Sequence, residues 1–266
     1  MPINRCIPNP LQYTFEEQPP YTTSEASTDG WILQVPLSNR WGTGYLYSSE
    51  FTTDQDAFDK FENFINKNYN KTLTNTSKVL SFKSGYWEQQ WVGNCMCVGL
   101  SSGFAEPLEA TNILHTISQI TRFVEMYSFT YQECDIKKYN DYMVEFYKNI
   151  YLYLRFCYTT NRSDSAFWEY MMHNIPDEVR ELEQKIKHEP LTPYNFSIGP
   201  FNHRNFTKVA WGLKKINTES YREILYKRNA IEIGKDLSRL NVEEKFNTYR
   251  NAISHKEYID SILKSK

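Results

Sequence analysis

A chain of 266 residues is long enough to bury a sizeable core, as one large domain or as two modest ones. Its 30 Lys and Arg residues nearly balance 32 Asp and Glu residues, which gives a formal net charge of −2 at pH 7. This balance argues against nucleic acid as a partner, because there is no basic field to hold phosphates. Aromatic residues make up 16% of the chain, a content that suits a partly polar core or a cleft for a flat apolar ligand.

The chain shows no sign of a membrane or export segment. No apolar run approaches the roughly 18 residues of a membrane helix, and the start "MPINRCIPNPLQY" lacks the basic-then-apolar order of a signal peptide. We therefore expect a cytoplasmic protein without a membrane partner. The five cysteines are an odd number and fit reduced thiols, and Cys95 and Cys97 are expected to be buried structural thiols. The five histidines are scattered, so no metal site is predicted.

The first part of the chain has a β-like pattern. From about residue 30 to residue 100, short apolar runs rich in Val, Leu, Tyr and Trp are punctuated by Gly, Pro and Ser. One helix interrupts them over residues 52–69, with Thr52 or Thr53 as the N-cap and with Phe58, Phe61, Phe64 and Ile65 at helical spacing.

After Pro107 the chain has a helical pattern. Two apolar stripes recur at intervals of three and four residues and are predicted to face the core: Ile113, Ile117, Ile120 and Val124, then Tyr142, Phe146, Ile150 and Tyr153. Further helices are expected around 165–172, 177–188, 205–216 and 218–263, the last broken near Gly234. The prediction is an α+β fold with a β-rich part over residues 1–106 and a helical region over 107–266, which together form one continuous unit.

The segment "SSGFAEPLEATNIL" at 101–114 lies where the two parts meet. Leu100 is expected to close a buried strand, a turn follows, and Pro107 suits the first turn of a helix. A strand, a turn and a helix in this order can bind an anion such as phosphate or halide through free N–H groups. Glu106 is interpreted as a capping and turn residue. Glu109, in the first helical turn, is either a capping group or a catalytic one.

Four segments together resemble the flavin-dependent tryptophan halogenases. They are "GWILQVPL" at 30–37, "GTGYLYSSEF" at 42–51, "WVGNCMCVGLSSGFAEPLEATNI" at 91–113 and "NRSDSAFWEY" at 161–170. They occur in that family's order and spacing. The resemblance implies part of the mixed β-sheet of a flavin-monooxygenase-like module, followed by a mainly helical cap over the substrate.

The resemblance also implies an activity. In that family, reduced FAD supplied by a separate reductase, oxygen and a halide ion produce hypohalous acid, which halogenates an indole-like substrate. Glu109 matches the family's catalytic glutamate, and Thr111 and Asn112 match the positions associated with the halide. The loop that lies against the flavin corresponds to Gly99, Leu100, Ser101, Ser102, Gly103 and Phe104. Trp31 and Pro36 match the family signature W-x-W-x-I-P.

Three residues depart from the family pattern. Leu33 replaces the second tryptophan of the signature, which is thought to discourage ordinary monooxygenation. Ala110 replaces a usual serine, and Asn112 replaces a usual glycine. These departures leave open a flavin monooxygenase relative that does not halogenate. For Trp31, packing as a core residue of a strand is the alternative to a role in the site.

The chain contains no G-x-G-x-x-G, the fingerprint that holds the FAD pyrophosphate. The family carries that fingerprint and its catalytic lysine in an N-terminal half, so this chain looks like the C-terminal half. A missing N-terminal half or a partner chain is therefore expected, with homodimerisation as another way to cover the exposed sheet edge and interface. A non-catalytic remnant or binding module remains an alternative.

Overall fold

The structure is a computed structural model that describes residues 1–12, 21–74, 78–127, 129–196 and 198–227, together with residues 254, 257, 260 and 261. The described strands are β1 Arg5–Leu11, β2 Thr23–Ala26, β3 Gly30–Pro36, β4 Trp41–Tyr47, β5 Leu80–Ser81, β6 Gly85–Tyr86, β7 Trp91–Val92, β8 Cys95–Met96 and β9 Gly103–Phe104. The described α-helices are α1 Asp54–Tyr69, α2 Thr111–Tyr127, α3 Glu133–Cys157, α4 Ala166–His173, α5 Asp177–His188, α6 His203–Gly212 and α7 Thr218–Lys227.

The main sheet has five strands in the order β2-β3-β4-β1-β5, and all its described pairs are antiparallel. Successive side chains of a strand point to opposite faces, so β4 supplies two cores. Tyr45 packs on one face with Phe61 and Ile65 of α1, while Leu46 packs on the other face with the helices that follow. The sheet therefore lies between α1 and the helical layer.

Helix α1 begins as predicted. Thr53 is the N-cap, and its hydroxyl accepts a hydrogen bond from the Asp56 N–H at 3.1 Å. Ala57, Phe61 and Ile65 are the buried positions, one turn apart. Spacing and cap chemistry in the sequence were sufficient to place this helix.

The region before α2 consists of two short antiparallel strand pairs rather than a long buried strand. β7 pairs with β8, and β6 pairs with β9. Leu100 was predicted to close a buried strand, but it lies in a 3-10 turn, Gly99–Ser101, with its side chain exposed. The prediction was wrong because a turn after Val92 and the 3-10 turn that begins at Gly99 break the apolar run.

Helix α2 buries the opposite face from the one predicted. Its apolar stripe, Ile113, Ile117, Ile120 and Val124, is 50 to 72% exposed. The buried positions on the other side are Thr111, His115, Gln119 and Tyr127. The described part of the chain thus buries a mainly polar face of this helix, because Gln119 hydrogen-bonds to Gly99 and His115 contacts the Tyr147 hydroxyl.

The second predicted stripe is confirmed in α3. Phe146, Ile150 and Tyr153 are buried, and Tyr142 packs partly buried beside them. The helices predicted around 165–172 and 177–188 correspond to α4 and α5, and the one predicted over 205–216 begins and ends a few residues earlier as α6. The one predicted from residue 218 is described as α7 up to Lys227, and the predicted break near Gly234 lies outside the described residues.

Helix α4 joins the two parts of the chain. Ser165 caps it and donates a hydrogen bond to the Thr28 carbonyl at 2.6 Å, while the Trp168 indole N–H donates to the Ser27 carbonyl at 2.8 Å. The helical layer is thereby fixed to the turn between β2 and β3. The α+β class is confirmed, whereas the boundary between residues 106 and 107 stays a prediction.

All five cysteines are free thiols. Cys95 was predicted to be buried, but it is exposed because it lies at the tight turn of the β7–β8 hairpin, while Cys97 is half-buried. Within the described ranges, no cluster of His, Cys, Asp and Glu could hold a metal ion. Among the described helices, none is both long and apolar enough to cross a bilayer.

Candidate active site at the start of helix α2

The segment containing Glu109 is a separate turn that precedes α2. Pro107–Glu109 form a 3-10 turn, and Ala110 follows in the left-handed region at φ 50°, with its N–H bonded to the Pro107 carbonyl at 3.0 Å. Helix α2 begins only at Thr111. The prediction that Pro107 and Glu109 lie in the first turn of this helix was therefore wrong, because the left-handed residue separates the two elements.

Glu109 has an exposed side chain at this corner. Partial burial raises the pKa of its carboxyl group. Cys157 lies at the end of α3 nearby, and its thiol pKa is raised first by burial and then by the negative charges of Glu109 and Glu106. Glu109 thus combines access from outside with a partly desolvated charge.

Glu106 occupies the N-cap position of the Pro107–Glu109 turn, but its side chain makes no cap hydrogen bond and is 1% exposed. Both carboxyl oxygens instead accept hydrogen bonds from the Tyr158 hydroxyl, at 2.9 and 3.1 Å. Burial raises the pKa of Glu106 to about 7, although the Tyr158 hydrogen bond and the charge of Arg155 act in the opposite direction.

The start of α2 presents backbone N–H groups beside Glu109. The first N–H groups of an α-helix have no partner within the helix, and the helix dipole makes this end favourable for an anion. Thr111 is buried here, and Asn112 is half-buried with its carbonyl accepting from Thr116. The sequence had placed the halide at Thr111 and Asn112, and both belong to this first turn.

The loop over residues 99–104 is held against α2 by one side chain. The buried Gln119 side-chain oxygen accepts from the Gly99 N–H at 2.8 Å. Its amide group donates to the Gln90 side chain at 2.9 Å and to the Cys97 carbonyl at 3.1 Å. Ser102 closes the loop by donating to the Gly99 carbonyl at 2.6 Å.

The other end of the loop lies under two stacked tyrosines. The rings of Tyr86 and Tyr147 are parallel within 8° with centroids 4.8 Å apart. A Cβ atom at Gly103 would come within 2.6 Å of the Tyr147 hydroxyl, so this position has room for glycine only. The same hydroxyl lies 3.3 Å from Nδ1 of the buried His115.

Trp31 and Pro36 of the predicted signature lie at opposite ends of β3. Trp31 faces the helical core and contacts Tyr158 and Trp168 edge-on, with ring centroids 5.5 and 5.6 Å away. Through Tyr158 it is linked to Glu106. Pro36 is half-buried and pairs with Trp41 at the far end of the strand, so the structure does not bring it to the same place.

Four residues of this site were missed from the sequence: His115, Gln119, Tyr147 and Tyr158. One signal for two of them was present, because Thr111, His115 and Gln119 recur every four residues and form a polar stripe opposite the apolar one. The two tyrosines carry no local signal, since they reach the site from the distant helix α3 and the residue after it.

A separate cleft of about 870 Å³ lies between the β7–β8 hairpin and α3. Trp91, Ile136 and Asn140 are among its lining residues, and none of the predicted site residues lines it. The corner at Glu109 is therefore distinct from this cleft.

Solved structures with the same fold are flavin-dependent halogenases. Tar14, a tryptophan C-6 flavin-dependent halogenase from taromycin biosynthesis, superposes with a TM-score of 0.83 at 23% identity, over 99% of this chain and 53% of its own. A tryptophan halogenase from Shewanella frigidimarina gives a TM-score of 0.85 at 20% identity, over 99% of this chain and 51% of its own. These likenesses establish that the described fold is that of part of a flavin-dependent halogenase.

The sequence relationships define the family. The chain belongs to the tryptophan halogenase family, whose sequence profile matches residues 2–229. The tryptophan 6-halogenase SttH of Streptomyces toxytricini is 28% identical over 202 residues, which make up 73% of this chain and 38% of SttH. The tryptophan 7-halogenase RebH of Lentzea aerocolonigenes is 35% identical over 106 residues, 40% of this chain and 19% of RebH. The chain thus spans about half or less of the length of these relatives.

Proposed function

We propose that this chain is part of an FAD-dependent halogenase that acts on tryptophan, on other indole-like compounds or on other electron-rich aromatics. Reduced FAD, oxygen and a halide ion would be the co-reactants. The observation that carries the proposal is the position of Glu109, an exposed residue that Ala110 alone separates from Thr111, where α2 begins. Membership in the tryptophan halogenase family supports the same assignment.

Glu109 would act electrostatically. Electrophilic halogenation of an aromatic ring places positive charge on that ring, and a fixed carboxylate stabilises such a charge more strongly where water is partly excluded. Glu109 is partly buried at this corner, and the same partial burial raises the pKa of its carboxyl group. The 3-10 turn and the left-handed Ala110 set where the Glu109 backbone lies relative to the start of α2.

The halide and the flavin would be held by neighbouring groups. The backbone N–H groups of Thr111 and Asn112 lie at the positive end of α2 and suit a chloride or bromide ion. The Gly99–Phe104 loop would lie against the flavin. In support, the apolar side chain of Leu100 is exposed there and the Gly99 backbone is held by Gln119. When bound, reduced FAD would supply the two electrons that activate oxygen.

The remaining parts of the site must come from elsewhere. The chain contains no G-x-G-x-x-G to hold the FAD pyrophosphate, and no position that matches the family's lysine. Because the solved relatives are about twice as long, a polypeptide corresponding to their other half would supply both. A separate flavin reductase would deliver reduced FAD.

A flavin monooxygenase without halogen transfer is the second candidate, because Leu33 stands where the family signature has a tryptophan. To separate the two, the chain would be co-expressed with the part of SttH that it does not match and supplied with FAD, a flavin reductase, NADH, tryptophan and bromide. Mass spectrometry is expected to show a brominated product that requires bromide. An oxygenated product that forms equally without bromide would support the monooxygenase and exclude the halogenase.

A further inference from the structure

The exposed apolar stripe of α2 is a surface that the described residues leave uncovered. We call Ile113, Ile117 and Ile120 the outer stripe. These residues follow one another at intervals of four and three, so they lie along one face of the helix, and each is at least half exposed. Contiguous apolar surface of this kind on a soluble protein marks an interaction site.

The orientation of α2 is fixed by its opposite face. Gln119 bonds to the Gly99 N–H, to the Cys97 carbonyl and to Gln90, and His115 contacts Tyr147. Rotation of the helix to bury the outer stripe would break these bonds and leave buried backbone groups without partners. The contacts of Gln119 and His115 therefore keep the outer stripe on the outward-facing side of α2.

The outer stripe is continuous with the candidate active site. Its first member, Ile113, directly follows Thr111 and Asn112, the proposed halide positions. The 3-10 turn that carries the exposed Leu100 packs against α2, where Gly99 approaches Thr116. A protein that covers the outer stripe would therefore also close over the start of α2.

The extent of the fold match indicates the occupant. Two solved halogenases cover 99% of this chain, yet the chain covers only 53 and 51% of them. About as much polypeptide again completes the fold in those proteins, and it must pack on surfaces that this chain presents. We propose that the outer stripe of α2 is the docking surface for the polypeptide that supplies the other half of the halogenase fold, an inference that rests on the proposed function.

The test uses binding rather than turnover. The full chain would be co-expressed with the affinity-tagged complementary part of SttH and, separately, of Tar14, and the stoichiometry of the purified complex would be measured by light scattering. The wild-type chain is expected to form a one-to-one complex. The double variant Ile117→Lys/Ile120→Lys is expected to reduce the recovered complex at least tenfold. The matched control, Tyr194→Lys/Trp211→Lys, places two lysines at exposed aromatic positions on elements other than α2 and is expected to bind normally.

A second readout keeps folding separate from docking. In an Ile120→Cys variant, the thiol is expected to react with a maleimide in the chain alone and to be protected in the complex, as followed by mass spectrometry at that position. The thiol could instead be protected in the chain alone. If truncation after Lys227 then removes the protection, the chain's own C-terminal segment is the occupant. If the protection comes from a dimer that excludes the complement, the occupant is a second copy of the chain. Either result would overturn the proposal.

The remaining outcomes distinguish the interface from the activity. Failure of the wild-type chain to bind either complement, or undiminished binding by the double lysine variant, would overturn the docking surface. If the complex forms and depends on the outer stripe but produces no halogenated product, the proposed function fails while the interface stands. If product forms at the wild-type rate with the double lysine variant, the function stands and the interface fails.

Discussion

The Tyr158 hydroxyl donates to both carboxyl oxygens of Glu106, at 2.9 and 3.1 Å, in a site where the Glu106 side chain is almost fully buried. This pair fixes the residue before Pro107 and hence the entry to the turn that carries Glu109. Trp31 packs edge-on against the same tyrosine. The position of the catalytic candidate is thus tied to strand β3 and to the end of α3.

The raised pKa of Glu106 should make the folded protein less stable as the pH rises. Because burial raises this pKa from 4.5 to about 7, the folded protein holds a proton that the unfolded chain has lost between these values. The free energy of unfolding should therefore fall by about 3 kcal/mol as pH rises from 4.5 through 7. Glu106→Gln keeps an oxygen for Tyr158 but cannot ionise, so its denaturant-unfolding profile should lack this loss. A profile as steep as that of the wild type would contradict the assignment.

The lowered pKa of His115 should have the opposite effect and make the folded protein less stable as the pH falls. Burial lowers its pKa from 6.5 to about 4, so the unfolded chain binds a proton that the folded protein rejects between these values. The free energy of unfolding should fall by about 2 to 3 kcal/mol as pH drops from 6.5 to 4. His115→Gln should flatten this limb, and the exposed His188 changed to Gln serves as control. Equal acid sensitivity in the two variants would be evidence against a buried neutral His115.

Gln119 is expected to be the main anchor of the Gly99–Phe104 loop. Gln119→Leu preserves the approximate volume but leaves the Gly99 N–H and the Cys97 carbonyl without their bonds. The cost should be about 2 to 4 kcal/mol, because buried polar groups are left unpaired. Ser118→Ala, at the neighbouring half-buried position, should cost well under half as much. Urea unfolding of the two variants measures the difference, and equal stabilities would show that the loop does not depend on Gln119.

Ala110 is expected to be a strained position. Its φ of 50° is unfavourable for a residue with a Cβ atom, whereas glycine adopts it freely. Ala110→Gly should therefore raise the stability by about 1 kcal/mol. The control Ala210→Gly, in the interior of α6, should lower it by about that amount or more. Thermal unfolding of both variants measures these stability changes. A lower melting temperature for Ala110→Gly would contradict the prediction that Ala110 is strained.

The sequence was informative where local chemistry decides the structure. The Thr53 cap, the apolar spacing of α1 and the stripe of α3 were enough to place these elements, and the family motifs led to Glu109. It failed where tertiary contacts decide. The periodicity of α2 showed two stripes but not which one is buried, because burial of the polar one depends on Gly99, Gln90 and Tyr147.

Glu106 illustrates the same limit. An acidic residue before Pro107 is typical of a turn or cap, and only the fold shows that Tyr158, 52 residues further along the chain, binds it. The exposure of the outer stripe also has no local signal. Apolar spacing predicts a buried face, and the sequence does not say whether that face is buried within this chain or against another polypeptide.

The role of Glu109 is tested most directly by comparing the turnover rates of three forms of the protein. In the co-expressed complex with the complementary part of SttH, the rate of bromotryptophan formation would be compared for wild type, Glu109→Gln and the control Glu125→Gln, an exposed position on α2. Bound FAD would be quantified by its absorbance in each. We predict that Glu109→Gln retains FAD but loses at least about 100-fold in rate, as expected when a preorganised charge is removed. Wild-type turnover by Glu109→Gln with FAD bound would contradict the account.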